Sequence, residues 1–276
     1  MDLTERGARS ARVAAVFDRV ADVYDQVGIP WFTPIAQELV RLAAPARGER
    51  ALDVGCGRGA ATVALAAAVG NDGQVTAVDL SPRMIEACGA LGLPNVEFQV
   101  MDASSPSLPP AAYDLVVSSL VVFFLPDPPA ALAAWRSLLV TPGGRLAIST
   151  FAHRDPVWDA VDATFRPYLP AGMLDARTTG AAGPFSTDAG VEELVRAAGF
   201  TGVRTAHADV EVTFADVDEW QTFSRSHGQR AMWDAIPEAD HDTVKATAGA
   251  LLEQARGADG RLHLTQQVRY TLAESA

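Results

Sequence analysis

The segment Ala51-Leu52-Asp53-Val54-Gly55-Cys56-Gly57-Arg58-Gly59-Ala60 starts as a short apolar run, carries glycine at every second position, and leads into an alanine-rich stretch. This pattern predicts a buried strand that turns through a glycine loop into a helix. Glycine has no Cβ atom, so its backbone can adopt positive φ and let a ligand approach closely. Free N–H groups at the start of the next helix would attract a negatively charged group. The segment therefore predicts a ligand-binding loop, and the alternative is a tight turn that binds nothing.

Two acidic residues narrow the choice of ligand. Asp53 lies two residues before Gly55, where a carboxylate would repel a pyrophosphate and suit an ammonium group. Asp79 closes the next predicted strand, about 20 positions after the loop, an offset at which an acid binds ribose hydroxyls. A ligand with an adenosine end and a zwitterionic amino-acid end fits both acids, and S-adenosylmethionine has that form.

The stretch from Leu52 to Gly59 resembles motif I of the class I S-adenosylmethionine-dependent methyltransferases. The resemblance implies a cofactor site that includes the two acids, the loop and the residue after the second strand: Asp53, Gly55, Cys56, Gly57, Asp79 and Leu80. The same loop also satisfies the relaxed dinucleotide pattern, with Ala60 in the third position. A nicotinamide-dependent oxidoreductase is therefore the alternative enzyme, and a non-catalytic or repurposed S-adenosylmethionine-binding protein is a third possibility.

Two further strand ends add candidate cofactor residues. Met101-Asp102-Ala103 follows the third predicted strand and resembles the family segment that binds adenine, with Asp102 accepting a hydrogen bond from N6. Without the resemblance, Asp102 is an acid that caps a turn. Ser118 and Ser119 end the fourth strand, where small hydroxyl residues leave room for the methionyl part of the cofactor. The alternative is that both serines are simply tolerated in a buried strand.

Tyr24 and His153 are the candidate catalytic residues. Residues 16–25 resemble the N-terminal helix of methyltransferases of the ubiquinone and menaquinone biosynthesis type, which implies that Tyr24 faces the active site; from periodicity alone it is a core residue. His153 follows the fifth strand, and the ordinary pKa of histidine suits a general base. His227 is the second choice. No histidine pair has the spacing of metal ligands, so we expect no metal.

The order of predicted elements indicates the fold class. Five strand–helix alternations predict an α/β fold with a doubly wound, Rossmann-like parallel sheet over residues 46–153. Two late strands, at 203–213 and 261–272, lack a crossover of ordinary size and suggest an antiparallel edge pair. This ending resembles the class I methyltransferase sheet, which implies seven strands with a reversed last strand between the fifth and sixth.

The rest of the chain predicts helical elements around this core. We expect N-terminal helices within residues 1–45 that form part of a lid, with residues 1–9 disordered and a first helix from Ser10 to about Val27. A lid insertion is expected at 154–186. Residues 187–276 would complete the core, with a helical lid insertion at about 216–256.

Composition limits the function further. The net charge of −12, from 22 basic and 34 acidic residues, argues against nucleic-acid binding. There is no apolar run of about 20 residues and no apolar N-terminal signal segment, so we expect a cytoplasmic protein that does not span a membrane. The two cysteines are too few for a disulfide framework.

Aromatic side chains are frequent at the predicted strand ends and in the two predicted insertions, which suggests a lid over an apolar pocket. The residues concerned are Tyr24, Trp31, Phe32, Phe123, Phe124, Phe151, Trp158, Phe165, Tyr168, Trp220, Phe223 and Trp233. We therefore expect S-adenosylmethionine-dependent, in-line methyl transfer to a small, largely apolar acceptor such as a secondary metabolite. The extended N-terminal helix could also pack on a second copy in a homo-oligomer.

Overall fold

A seven-stranded mixed sheet forms the centre of the molecule, which the computed structural model describes over residues 3–170 and 183–276. Its strands are β1 (Arg50–Val54), β2 (Gln74–Asp79), β3 (Val96–Val100), β4 (Leu115–Ser119), β5 (Gly144–Arg154), β6 (Thr201–Phe214) and β7 (Leu262–Ser275). Their spatial order is β3-β2-β1-β4-β5-β7-β6. The first five strands are parallel, and β7 runs antiparallel to both β5 and β6. The predicted doubly wound sheet with a reversed last strand is confirmed.

Helices cover both faces of the sheet. They are α1 (Leu3–Val20), α2 (Phe32–Ala43), α3 (Ala60–Val69), α4 (Pro82–Gly89), α5 (Pro128–Leu138), α6 (Pro156–Ala163), α7 (Asp188–Ala197), α8 (Val217–Arg225), α9 (Arg230–Asp234) and α10 (His241–Leu252). Strands β1 and β4 are buried at all but one position each, because helices cover both of their faces.

Side-chain caps start several of these helices at the positions expected from the sequence. Ser81 accepts a hydrogen bond from the backbone N–H of Met84 at 3.1 Å, and Asp127 accepts from the N–H of Ala130 at 3.1 Å. Each capping residue is followed by proline at the first helical position, where the missing N–H costs nothing. These caps fix where α4 and α5 leave the carboxyl-end edge of the sheet.

The N-terminal helix differs from its prediction at both ends. It begins at Leu3 rather than Ser10, so residues 3–9 are helical instead of disordered. It ends at Val20, whose carbonyl accepts from the N–H groups of Val23 and Tyr24 in a turn. Asp25 then adopts a positive φ of 56°, which stops the helical path before Val27. The apolar periodicity continued through a turn and misplaced the helix end.

Two groups of helices fall within the predicted insertions. The segment after β5 contains α6 and a short 3₁₀ turn at Arg166–Tyr168; residues 171–182 of the predicted insertion at 154–186 lie outside the described residues. The segment at about 216–256 contains α8, α9 and α10, and α10 packs against α6. Across the ranges described, no helix is both long and apolar enough to span a membrane.

Candidate functional site

A cavity of about 1380 Å³, including the space open to solvent at its mouth, lies at the carboxyl ends of the parallel strands. Ligands bind at this edge in open α/β sheets. Of the predicted cofactor residues, those that line the cavity are Gly55, Gly57, Asp79, Leu80, Asp102, Ala103 and Ser119. The others lie behind or beside its wall: Asp53, Cys56, Met101 and Ser118. Residues at the carboxyl ends of β1, β2, β3 and β4 therefore line one cavity.

The glycine loop adopts the backbone that its sequence predicts. Gly55, Gly57 and Gly59 have φ values of 75°, 53° and 96°, a region that other residues rarely occupy. A Cβ atom on Gly55 would lie 2.4 Å from Cγ2 of Val121. The loop therefore requires glycine both for its conformation and for the close approach of β1 to the end of β4.

Asp79 is held in place by two backbone donors. Its Oδ2 accepts from the N–H of Gly57 and its Oδ1 from the N–H of Ser81, each at 2.9 Å. Burial raises the pKa of Asp79 although these bonds act in the opposite direction. A carboxylate has further lone pairs beyond these two bonds, so Asp79 can still accept from a ligand hydroxyl in the cavity.

Asp53 is buried behind the loop, with 1% of its surface exposed. Its Oδ2 accepts from the hydroxyl of Thr62 at 2.6 Å, whereas Oδ1 has no partner among the described residues. Burial, together with the nearby charge of Asp79, raises the pKa of Asp53 to about 7. An incompletely satisfied buried carboxylate beside a second one favours a cationic ligand group nearby, which fits a cofactor with ammonium and sulfonium centres.

Asp102 contacts the N-terminal helix as well as the cavity. Its Oδ1 accepts from the N–H of Ser104 at 2.8 Å, and its Oδ2 accepts from the hydroxyl of Ser10 at 3.2 Å. The indole N–H of Trp135 donates to the carbonyl of Ala103 at 2.8 Å and fixes this segment from beneath. Asp102 therefore lies in the cavity wall after β3, where α1 contacts it, and its role in binding adenine stays a prediction.

The two serines of β4 separate into different environments. Ser118 is fully buried and donates to the carbonyl of Val54 at 2.9 Å, so it supports the sheet. Ser119 lines the cavity and shares a hydrogen bond with the hydroxyl of Ser149 at 3.1 Å. Leu120 follows with a φ of 58°, an unusual conformation for a branched residue. It turns the chain back over the cavity, and no sequence signal marked it.

Tyr24 lies over the glycine loop. Its ring stacks on Phe32 with centroids 4.3 Å apart and planes 22° apart. A Cβ atom on Gly57 would lie 3.8 Å from the ring. Burial, and then the charges of Asp25 and Asp79, raise the pKa of Tyr24 well above its ordinary value. The raised pKa favours the neutral phenol, whose hydroxyl can donate a hydrogen bond.

His153 is exposed and does not line the cavity, which does not support its prediction as a base. The pairing of β5 with β7 is irregular between Phe151 and Arg154, and these two residues face the cavity instead. His227, the second choice, does line it. Its ring packs against Phe223 and Phe32, with centroid distances of 4.7 Å and 5.7 Å.

Aromatic side chains form a large part of the cavity wall. Trp31 is central, with ring centroids 5.2 Å from Trp158, 5.8 Å from Phe223 and 6.2 Å from Phe151. Phe123 and Phe124 also line the cavity. Other aromatic residues from the sequence-based set are buried in the core instead: Phe165, Trp220 and Trp233.

A polar cluster interrupts this aromatic wall and was missed in the sequence. Arg154 donates to Asp162 at 2.8 Å and to Asp159 at 2.7 Å, and Gln229 donates to Asp162 at 2.6 Å. Only the spacing of Asp159 and Asp162, three residues apart after the Asp155-Pro156 helix start, signalled that both lie on one face of α6. Among the described residues, no group of three or more His, Cys, Asp or Glu side chains could hold a metal ion.

Comparison with known proteins agrees with this geometry. A methyltransferase domain family matches residues 51–144. The aklanonic acid methyltransferase of Streptomyces sp. strain C5 is 38% identical over 168 residues, 59% of this chain and 76% of the relative. The nocamycin O-methyltransferase of Saccharothrix syringae is 31% identical over 278 residues, 92% of this chain and 95% of the relative. The YcgJ protein of Bacillus subtilis shares the fold, with a TM-score of 0.58 at 16% identity, covering 87% of this chain and 97% of that one.

The fold and the cavity define a Rossmann-like methyltransferase. The chain belongs to the class I S-adenosylmethionine-dependent methyltransferases, and S-adenosylmethionine is its methyl donor. This assignment excludes the nicotinamide-dependent alternative, and it does not favour a non-catalytic cofactor-binding protein.

Proposed function

We propose that this methyltransferase transfers the methyl group to an oxygen atom of a flat, largely apolar aromatic small molecule of the secondary-metabolite type. The observation that carries the proposal is a single cavity that is lined by the glycine loop and Asp79 and also by Trp31 and Trp158. Aromatic walls bind flat rings by stacking and edge contacts. Two relatives, an aklanonic acid methyltransferase and a nocamycin O-methyltransferase, support a secondary-metabolite acceptor, and the second also supports transfer to oxygen.

Residues at the carboxyl ends of β1, β2 and β3 bind the cofactor in this proposal. Gly55 and Gly57 let the backbone approach the amino-acid end, and the buried charge of Asp53 stabilises its ammonium group from behind the loop. Asp79 accepts from the ribose hydroxyls, and Asp102 accepts from the adenine amino group. Leu80 and Ala103, which line the same part of the cavity, supply apolar contacts to the adenosine.

The acceptor half of the cavity lies near β4 and β5. Asp102 follows β3 and Arg154 ends β5, so four strand spacings separate them. At about 4.8 Å each, this amounts to roughly 19 Å, which leaves room for an acceptor beside a cofactor. His227, between Phe223 and Phe32, belongs to this half.

Catalysis in this proposal rests on alignment and on exclusion of water. S-adenosylmethionine, when bound, supplies an electrophilic methyl group. The stacked rings of Tyr24 and Phe32 cover the loop, and α6, α8 and α9 supply Trp158, Phe223 and Met232 as a lid on the other side. Alignment of two reactants can supply several kcal/mol, and a dry cavity strengthens the contacts that hold them.

The proposal is tested by supplying the purified protein with methyl-labelled S-adenosylmethionine and a panel of hydroxylated and carboxylated aromatic polyketides. Aliphatic amines and alcohols of similar mass serve as the comparison panel. We expect label only in the aromatic compounds, as a methyl ether or ester identified by mass spectrometry. Transfer confined to amines or to aliphatic compounds would contradict the proposal.

A further inference from the structure

The acceptor wall contains a buried polar cluster formed by Arg154, Asp162 and Gln229, with Asp159 at its outer edge. The side chains of Arg154 and Asp162 are 10% and 9% exposed, and Gln229 is 4% exposed. The first three line the cavity, in the half that the proposed function assigns to the acceptor. Burying a polar group in an apolar wall costs free energy unless the group is hydrogen-bonded. The donors and acceptors of this cluster that have no partner in the described structure therefore indicate which ligand groups the wall can bind.

Arg154 is only partly satisfied by its neighbours. Its guanidinium has five N–H donors. Nε and Nη2 donate to Asp159 at 3.0 Å and 2.7 Å, and Nη1 donates to Asp162 at 2.8 Å. Two N–H groups, one on each terminal nitrogen, therefore have no partner among the described residues. They can donate to an oxygen atom of a bound molecule.

Gln229 supplies the complementary acceptor. Its Nε2 donates to Oδ1 of Asp162 at 2.6 Å, and this bond fixes the orientation of the amide because a carboxylate oxygen can only accept. The amide oxygen is left without a partner in the described part of the chain and belongs to a residue that lines the cavity. The cluster thus offers both a donor and an acceptor to one ligand.

The formal charge of the cluster decides which ligand it suits. Two carboxylates, Asp159 and Asp162, both bond to the single guanidinium of Arg154, which leaves a formal excess of one negative charge. A lone buried arginine would attract an anion, but this arrangement repels one. An uncharged oxygen group that can both accept and donate meets no such penalty.

We propose that this cluster selects an acceptor whose far end carries a neutral oxygen function, a hydroxyl beside a carbonyl, and discriminates against a carboxylate or other anion at that end. The inference rests on the proposed aromatic acceptor and specifies its chemistry. The guanidinium donates to the carbonyl, and the amide oxygen of Gln229 accepts from the hydroxyl.

Two aromatic probes of nearly equal shape test the charge argument. In 1-hydroxy-2-acetonaphthone the far end is neutral, and in 1-hydroxy-2-naphthoate a carboxylate replaces the acetyl group. Binding of each to the complex with S-adenosylhomocysteine is measured by calorimetry. We expect the neutral probe to bind at least about tenfold more tightly to the wild-type protein, the ratio expected when one buried charge is left unpaired.

Two variants provide matched controls. Asp159→Asn keeps an oxygen for Arg154 at an exposed position (50% side-chain exposure) and removes the excess negative charge. The anionic probe should therefore bind to this variant about threefold more tightly, or better, than to the wild type. Gln229→Leu removes the amide oxygen and should weaken the neutral probe about tenfold. Affinity for S-adenosylhomocysteine, measured on each variant, reports whether the protein is folded.

The outcomes separate the two proposals. Failure of both probes to bind a protein that binds S-adenosylhomocysteine would overturn the aromatic acceptor, and the cluster's role with it. Equal affinity for the two probes would overturn only the role of the cluster. The role of the cluster would also be overturned if Asp159→Asn showed the same ratio of affinities for the two probes as the wild type. It would be overturned as well if Gln229→Leu bound the neutral probe with wild-type affinity.

Discussion

Gly55 lies directly against Val121: a Cβ atom on the glycine would sit 2.4 Å from Cγ2 and 2.9 Å from Cγ1 of the valine. The end of β1 and the chain after β4 meet at this point. Because the contact is with a short, branched side chain at the cavity wall, neither partner can move away without changing the cavity.

Gly55→Ala should therefore destabilise the protein and weaken cofactor binding. The matched control is Gly48→Ala, since Gly48 also has positive φ (83°) but has open space where a Cβ would stand. We expect the control to cost about 1 kcal/mol, and Gly55→Ala about 2 kcal/mol more from overpacking, measured by urea unfolding. Adding Val121→Ala should recover part of the loss. Equal costs at the two glycines would contradict this account.

Asp53 should make the stability of the ligand-free protein fall as pH rises. Its folded pKa is raised from 3.8 to about 7, so the favourable contribution of the protonated form is complete below about pH 4 and is lost as pH rises through about 7. The loss should be about 2–4 kcal/mol. Comparing unfolding free energies at pH 5 and pH 8 for the wild type and Asp53→Asn, which keeps an oxygen for Thr62, isolates this effect. A difference between the two proteins that does not vary with pH would rule it out.

Asp79→Ala should weaken the binding of S-adenosylhomocysteine by about 1–3 kcal/mol, because the ribose hydroxyls lose their acceptor. It also frees the N–H groups of Gly57 and Ser81, so some loosening of the loop is expected. Asp72→Ala, an exposed acid paired only with Arg47 in the described structure, is the control. Calorimetry on both variants decides the matter, and unchanged affinity in a folded Asp79→Ala protein would remove Asp79 from the site.

The two histidines should behave differently when replaced by asparagine. His227 lines the cavity between Phe32 and Phe223, so His227→Asn should lower kcat/KM for the acceptor about tenfold, equal to about 1.4 kcal/mol. His153 is exposed outside the cavity, and His153→Asn should leave kcat/KM within about twofold. Steady-state assays with an identified acceptor test both. The reverse ranking would restore His153 as the candidate base.

Tyr24 should act through its ring rather than through its hydroxyl. The stack on Phe32 and the contact over Gly57 belong to the ring, and the raised pKa keeps the phenol neutral. Tyr24→Phe should bind S-adenosylhomocysteine with an affinity within about twofold of the wild type. Tyr24→Ala should bind it about tenfold more weakly, because the ring stacking is lost. A large loss in Tyr24→Phe would mean that the hydroxyl binds a ligand.

Local patterns were sufficient for the sheet and for much of the cofactor half of the cavity. The glycine loop, Asp79 and Asp102 are all recognisable because each lies at a strand end, and parallel strands bring their carboxyl ends to the same edge. The reversed last strand was also expected, because two late strands without a crossover of ordinary size favour an antiparallel edge pair, and this ending resembles the class I methyltransferase sheet. The end of the N-terminal helix was not, because a turn preserved its apolar spacing.

The sequence by itself thus determined the fold, the cofactor and the strand ends that meet at the cavity. Only the tertiary structure decided which side chains face the cavity: Ser119 rather than Ser118, and Arg154 rather than His153. On β4 the two serines are adjacent and point to opposite faces. On β5 the irregular pairing with β7 between Phe151 and Arg154 changes which residue points inward. The cluster of Arg154, Asp162 and Gln229 brings together residues up to 75 positions apart, from a strand, a helix and a later loop. No local pattern encodes such a contact, because it arises from how separate elements pack over the sheet.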